Sequence, residues 1–214
     1  MAITFETHIK SNSKILQYIK AADSALSRMG YTEHNVAHVT YVLKSAEYLL
    51  KILGYDEHTI DLTKIACYMH DIGNALSRYH HNLIGGILAT QLLQEIGLPL
   101  ADVCLIANAI CSHDTPSGTP TTPIAAALII ADKCDVRRSR VRKESIVDFD
   151  IHDRVHYSIF YSKLTLENNV ITLVVNMDPE VSSKYEYYEI FLDRMHMCKE
   201  AAKVLNCDFE LKIE

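Results

Sequence analysis

The sequence predicts a mainly α protein with a small β-β-α-β extension at its C-terminal end, and three observations carry that prediction. Through about residue 145 the apolar residues recur at three- and four-residue intervals, the period of an amphipathic helix. Glycines stand where those runs stop, at Gly54, Gly73 and Gly97, as is common just past a helix end. After about residue 150 the period drops to two, as in a strand with one buried face. The change of texture divides the chain into a helical domain, residues 1–149, and an α+β extension, residues 150–214.

Taken in order, "NSKILQYIKAADSAL" and "HVTYVLKSAEYLLKIL" carry helical apolar spacing, the second through Val39, Val42, Leu43, Ala46, Leu49 and Leu50. "EHTIDLTKIACYMHDIG" follows and stops at Gly73, and "NLIGGILATQLLQEIG" stops at Gly97. "LADVCLIANAICSHD" leads into the loop "TPSGTPTTP", whose prolines and glycine exclude regular structure. The apolar helix "IAAALIIADKCDVRRSRVRK" begins after it. In the extension, "SKLTLENNVITLVVNM" alternates on either side of Asn168-Asn169, a pair suited to a two-residue hairpin turn because Asn tolerates positive φ. Residues 179–205 read as a helix and "CDFELKIE" alternates again. A sheet that small needs a face to cover, on the helical domain or on another subunit.

At 214 residues, with 49% hydrophobic and 22% charged residues, the chain can bury a sizeable core. A net charge of −6 argues against general nucleic-acid binding, which needs a basic surface. The longest apolar run, "PIAAALIIA", is shorter than a membrane span of roughly 20 residues. "MAITFETHIK" lacks the pattern of a signal peptide. Six scattered cysteines without CxxC spacing read as reduced, mostly buried thiols of a cytoplasmic protein.

The chemistry lies in "CYMHDIGNALSRYHH" and its neighbours. Four stretches carry potential ligands: His34 and His38, His70-Asp71, His80 and His81, and His113-Asp114. Asp132 ends an apolar run with no other polar residue, so its carboxylate requires pairing or a metal. His34 and His38 stand at i,i+4, which leaves open which of them points inward. A lone His-Asp pair on a helix is as easily an ordinary core pair. The series as a whole points to a metal site of imidazole and carboxylate, suited to iron, manganese or zinc.

The order His…His-Asp…His…His…Asp resembles the HD superfamily of metal-dependent phosphohydrolases, an all-helical fold. The resemblance covers about residues 30–142 and implies an HD-domain helical bundle. His38 in "HVTYV", His70-Asp71 in "HDIGN", His81 in "HNLIGG", His113 in "AICSHD" and Asp132 in "IIADKCD" match the family pattern. His38, His70, Asp71 and Asp132 alone imply one metal. With His81 and His113 they imply two divalent transition metals bridged by Asp71, iron or manganese first, with zinc, nickel, cobalt or magnesium also compatible. Asn74 and Ser112 depart from the cyclic-di-GMP phosphodiesterase branch, which has "HDIGK" and a pair of adjacent histidines. "AICSHDTPSG" and the basic stretch after Asp132 look nearer the bacterial diadenosine tetraphosphate hydrolases, to which the β-containing tail is foreign.

The implied reaction is attack of water on a phosphoester or phosphoanhydride, with a nucleotide as the expected substrate. Asp71 bridges the metals, and Asp114 orients the water, shuttles a proton or supports His113. His34 is an outer donor to phosphate. If the helix continues past Asp132, Lys133, Arg137 and Arg140 share a stripe and contact the substrate phosphate. The loop at residues 115–123 borders the mouth of the site. The same ligand pattern also fits a mixed-valent diiron oxygenase of the HD type, or a ligand-sensing module without turnover. The tail is expected to supply no ligand and to pack through Tyr185, Tyr187 and Tyr188, possible contacts of a homodimer; no membrane partner is expected.

Overall fold

In the computed structural model, which describes residues 3–114, 118–142 and 150–214, a π-helical turn, Phe5–Ile9, leads into α1, Ser13–Arg28. Asn12 caps α1 by accepting from the Lys14 and Ile15 amides. α2, Val36–Ile52, is capped in the same way by Asn35, so two orphan amides at each start are satisfied. α3, Glu57–Met69, ends one residue before His70, and a 3₁₀ turn, Ile72–Ala75, follows. α4, His81–Ile96, and α5, Leu100–Ser112, form the next pair. α6, Pro123–Lys133, starts with proline just inside the helix and Thr122 as its cap, an arrangement that fits proline's fixed φ and missing N–H.

Residues Ile124 to Ala131 of α6 are buried on every side, because α2, α3 and α5 surround it together with the later α8. A helix surrounded in this way needs no polar face, which explains the unbroken apolar run. Gly54 and Gly97, at φ 77° and 91°, terminate α2 and α4 in the left-handed region, as their positions in the sequence suggest.

The helix expected to run on from Asp132 does not. α6 ends at Lys133, Arg137 is extended, and Arg138–Arg140 form a single 3₁₀ turn. The common stripe of Lys133, Arg137 and Arg140 is therefore absent. Two more details differ from the sequence reading. α3 stops before Gly73 rather than at it, and His34 lies ahead of the Asn35 cap, outside the helix that holds His38.

The extension opens with a helix that the alternation did not reveal, α7, Ile151–Ser158. It continues as β1, Ile159–Glu167, β2, Val170–Met177, α8, Lys184–Val204, and β3, Asp208–Ile213. Sheet order is β1-β2-β3, with β1 antiparallel and β3 parallel to β2. Asn168 and Asn169, at φ 50° and 60°, make the turn. Leu164 consequently pairs with Leu173 and Leu166 with Ile171. α8 packs against α6, so the extension covers the helical domain of its own chain. The expected boundary at residue 149/150 adjoins residues 143–149, and Thr115 to Ser117 of the loop likewise lie outside the described residues. No helix among the described residues is long and apolar enough to cross a membrane.

Candidate metal centre

The converging residues sit at helix termini. His38 is in the first turn of α2, His70 follows α3, His81 opens α4, His113 follows α5 and Asp132 is in the last turn of α6. Two glycines let these ends approach. A Cβ at Gly73 would overlap the His81 carbonyl, and Gly85 stands 3.3 Å from the His70 carbonyl at its would-be Cβ. His80 takes a left-handed conformation, φ 57°, which turns the chain so that His81 can begin the helix.

Asp71 divides its two oxygens between two groups of ligands. Its Oδ2 lies 3.1 Å from His70 Nε2 and 3.8 Å from His38 Nε2. Asp132 Oδ1 completes that group, 3.4 Å from His38 Nε2 and 3.6 Å from His70 Nε2. The other oxygen, Oδ1, lies 3.4 Å from His81 Nε2 and 3.8 Å from His113 Nε2. Sets of three that could each hold a cation include His38, His70 and Asp71, and Asp71, His81 and His113.

The outer nitrogens explain why these rings present Nε2 inward. His70 Nδ1 donates to the Cys67 carbonyl at 2.8 Å and His113 Nδ1 to the Ile110 carbonyl at 2.6 Å. His81 Nδ1 lies 3.2 Å from the Arg78 carbonyl. His38 Nδ1 meets a carboxylate instead, Asp135 Oδ2, at 2.8 Å. The acceptors at His38, His70 and His113 fix the tautomer and leave an Nε2 lone pair for a cation, whereas His81 Nδ1 faces both the Arg78 carbonyl and, at 3.1 Å, Arg78 Nη1. Asn74 donates to Asp71 Oδ1 at 2.9 Å and so steadies the shared carboxylate. The donor set therefore suits a divalent transition metal.

Electrostatics separates the two groups. Burial would lower the His70 pKa, but Asp71 and Asp132 hold it up at about 10. His81 is drawn down to about 4 by burial, with His113 and Arg78 pushing the same way. Burial opposes ionisation of Asp71 and Asp132. His70 outweighs it at the first, and Lys133 with His38 and His70 at the second, so both stay carboxylates well below the usual range. Asp114 is treated alike by Lys133, 3.0 Å away, and falls to about 2. His113 spends its Nδ1 on Ile110, so Asp114 is not its supporting partner.

Several expected substrate residues have other employment. His34 donates from Nδ1 to the Thr32 carbonyl at 2.7 Å, and its Nε2 accepts from Arg140 Nη2 at 3.0 Å. Both ring nitrogens are used, and the cluster contains His38. Arg140 also donates to the carbonyls of Glu33 and Asp135. Arg137 binds Asp135 through two nitrogens, at 2.6 and 3.1 Å, and lies 3.8 Å over the Tyr41 ring. It lies outside the cavity lining because the chain leaves α6 before reaching it. The basic run is largely a clamp, with Arg142 fastened to Asp23 at 2.7 Å.

A cavity of about 510 Å³ opens on the cluster. Lys133 and Arg140 reach its wall, and so do side chains the sequence did not mark, among them Arg78, Asp153, His156 and Arg194. Three of these belong to the extension, which thus closes one side of the cavity besides packing on α6. Asp135 left a faint signal as the second aspartate of "DKCD". His156 and Arg194 left none, because only the packing of α7 and α8 brings them near residues far away in sequence.

Residues 35–137 match the family model described as HD domain. No curated protein matches the chain. Among solved structures it is similar to the crystal structure of a predicted HD superfamily hydrolase from an uncultured Thermotogales bacterium, at 24% identity and a TM-score of 0.48, over 61% of this chain and 69% of that one. All six converging side chains lie within the residues that match the HD-domain model, 35–137.

Proposed function

We propose that the protein is a metal-dependent phosphohydrolase with a dinuclear centre, acting on a small phosphorylated molecule, a nucleotide by preference. The observation that carries this reading is Asp71, whose Oδ2 faces His38 and His70 and whose Oδ1 faces His81 and His113. His38, His70, Asp71 and Asp132 would hold one cation, and Asp71, His81 and His113 a second. When bound, such a pair lowers the pKa of water and neutralises charge building on a phosphoryl group.

The remaining steps belong to this chain's own groups. Asp135 and Asn74 hold His38 and Asp71 in orientation, so little reorganisation is left for the reaction itself. Asp114 borders the cavity as a carboxylate at neutral pH. With its pKa near 2 it is a weak proton acceptor, so its role is to accept a hydrogen bond and orient the attacking water. The cavity is of a size that suits a nucleotide-sized ligand, roughly 300–1,000 Å³, and its charged lining suits a polar one.

The test is turnover of a phosphoester and phosphoanhydride panel by purified protein of measured metal content, with and without oxygen. Hydrolysis without oxygen, lost on chelation and restored by manganese or iron, is the expected result. An absolute oxygen requirement, or metal binding with no turnover, would replace this reading by the oxygenase or the sensor.

A further inference from the structure

Among the described residues, four Lys or Arg side chains reach the cavity wall: Arg78, Lys133, Arg140 and Arg194. Three are committed to protein partners. Lys133 Nζ lies 2.9 Å from Asp132 and 3.0 Å from Asp114. Arg140 spends Nε, Nη1 and Nη2 on Glu33, Asp135 and His34. Arg78 Nη1 faces His81 and Asn74, and its guanidinium lies 5.1 Å over the Tyr31 ring. Arg194 differs. Among the described residues its guanidinium has no hydrogen-bond or salt-bridge partner, and it lies 4.8 Å over the Phe191 ring.

A partly buried guanidinium without a partner is unfavourable, because desolvation is not offset by pairing. Burial lowers its pKa while Asp132 and Asp114 raise it, which places the group within electrostatic reach of the cluster. Its position is also well fixed. α8 starts at a capping box of Ser183 and Glu186 and buries Met195, Cys198, Ala201 and Ala202, and it packs on α6, the helix that holds Asp132.

We propose that Arg194 is the anion-binding residue of the cavity, a fork from the C-terminal extension that takes the phosphate oxygens of a ligand seated against the His/Asp cluster. The planar guanidinium presents paired N–H donors that match phosphate, which a buried carboxylate partner would otherwise occupy. The extension then completes the substrate site of the helical domain. The identity of the anion rests on the phosphohydrolase reading; the binding of an anion at Arg194 does not require turnover.

The experiment measures inorganic phosphate binding to the full-length, manganese-loaded protein by calorimetry, beside KM and kcat for any phosphoester it hydrolyses. Arg194→Gln should weaken phosphate binding on the order of 10- to 100-fold, as expected for loss of charged hydrogen bonds, and raise KM more than it lowers kcat. Arg194→Lys should recover part of the loss, since it restores charge but not the fork. Metal content and melting temperature should stay at wild-type values in both variants. Wild-type phosphate affinity in Arg194→Gln, loss of phosphate and metal together, or no phosphate binding by the wild type would each overturn the proposal. Arg194-dependent phosphate binding without hydrolysis would sustain it and sink the phosphohydrolase reading. Hydrolysis with unchanged KM and phosphate affinity in Arg194→Gln would do the reverse.

Discussion

The two halves of the candidate metal centre share Asp71 and each bring two imidazoles, but only the first adds a carboxylate of its own, Asp132. In the half formed by His38, His70 and Asp132, a second carboxylate, Asp135, backs His38, and the field holds His70 up at about pKa 10. In the half formed by His81 and His113, backbone carbonyls back both rings and Arg78 Nη1 stands 3.1 Å from His81 Nδ1. There His81 falls to about 4. A site that favours a proton on imidazole also favours a cation, so the first half should bind metal more tightly than the second. The two halves are unequal because Asp132 adds a carboxylate to the first, where it helps hold His70 up, whereas burial dominates at His81.

The shared carboxylate offers the largest test. Asp71→Ala removes a ligand from both halves, so bound metal should fall from two equivalents to below one and turnover by about 1,000-fold or more. Elemental analysis with steady-state kinetics checks this, and near-normal activity would place the chemistry elsewhere. His113→Ala should separate the halves, releasing the second metal while the first remains.

Smaller changes sharpen the contrast. Gly73→Ala should displace His81 from Asp71, since the new Cβ overlaps the His81 carbonyl. We expect a loss of roughly 1–3 kcal/mol or more in stability, visible in denaturant melts, together with preferential loss of the second metal. Asp135→Asn should weaken metal binding about 10- to 100-fold, at the first half only, as read by competition with a chelator. Equal weakening at both halves would show that Asp135 acts through the fold rather than through His38.

The metal-free protein should also show a pH dependence of its own. Burial lowers the pKa of both His34 and His156, and at each Arg140 lowers it further; burial also lowers that of His81. Each has a folded pKa below its unfolded value of about 6.5, so the unfolded chain binds more protons below that pH. Stability should therefore fall as pH drops from about 6.5 towards 4, by up to about 1.4 kcal/mol per pH unit for each group. His70, raised to about 10, works the other way near the top of that window, where the unfolded imidazole is only partly protonated, and its contribution fades towards pH 4 as both states become protonated. His156→Gln should flatten the fall by about one group's share in chemical denaturation at several pH values. An unchanged slope would mean that His156 titrates normally in the folded protein.

The six clustered positions were legible because each stands at or near the end of an apolar helical run, and such runs must bring their termini together when they pack around one central helix. The hairpin was equally legible, since Asn168-Asn169 is a local signal for a local turn. Sequence pattern and structure part where one residue's conformation decides the outcome. Asn35 starts α2 between His34 and His38, and so separates two histidines that their spacing would have put on one face. The end of α6 at Lys133 undid the stripe for the same kind of reason.

By itself the sequence determined which residues could act as ligands, the mainly helical architecture and the strand alternation of the tail, because these rest on residue chemistry and short-range periodicity. Only the tertiary structure decided which nitrogen of each histidine faces the cluster and how Asp71 divides its oxygens. It also decided which arginines are already engaged and that α7 and α8 wall the cavity. Those outcomes depend on hydrogen bonds and burial between segments as far apart as His38 and Asp135, or Asp132 and Arg194, and no local pattern records a partner nearly a hundred residues away.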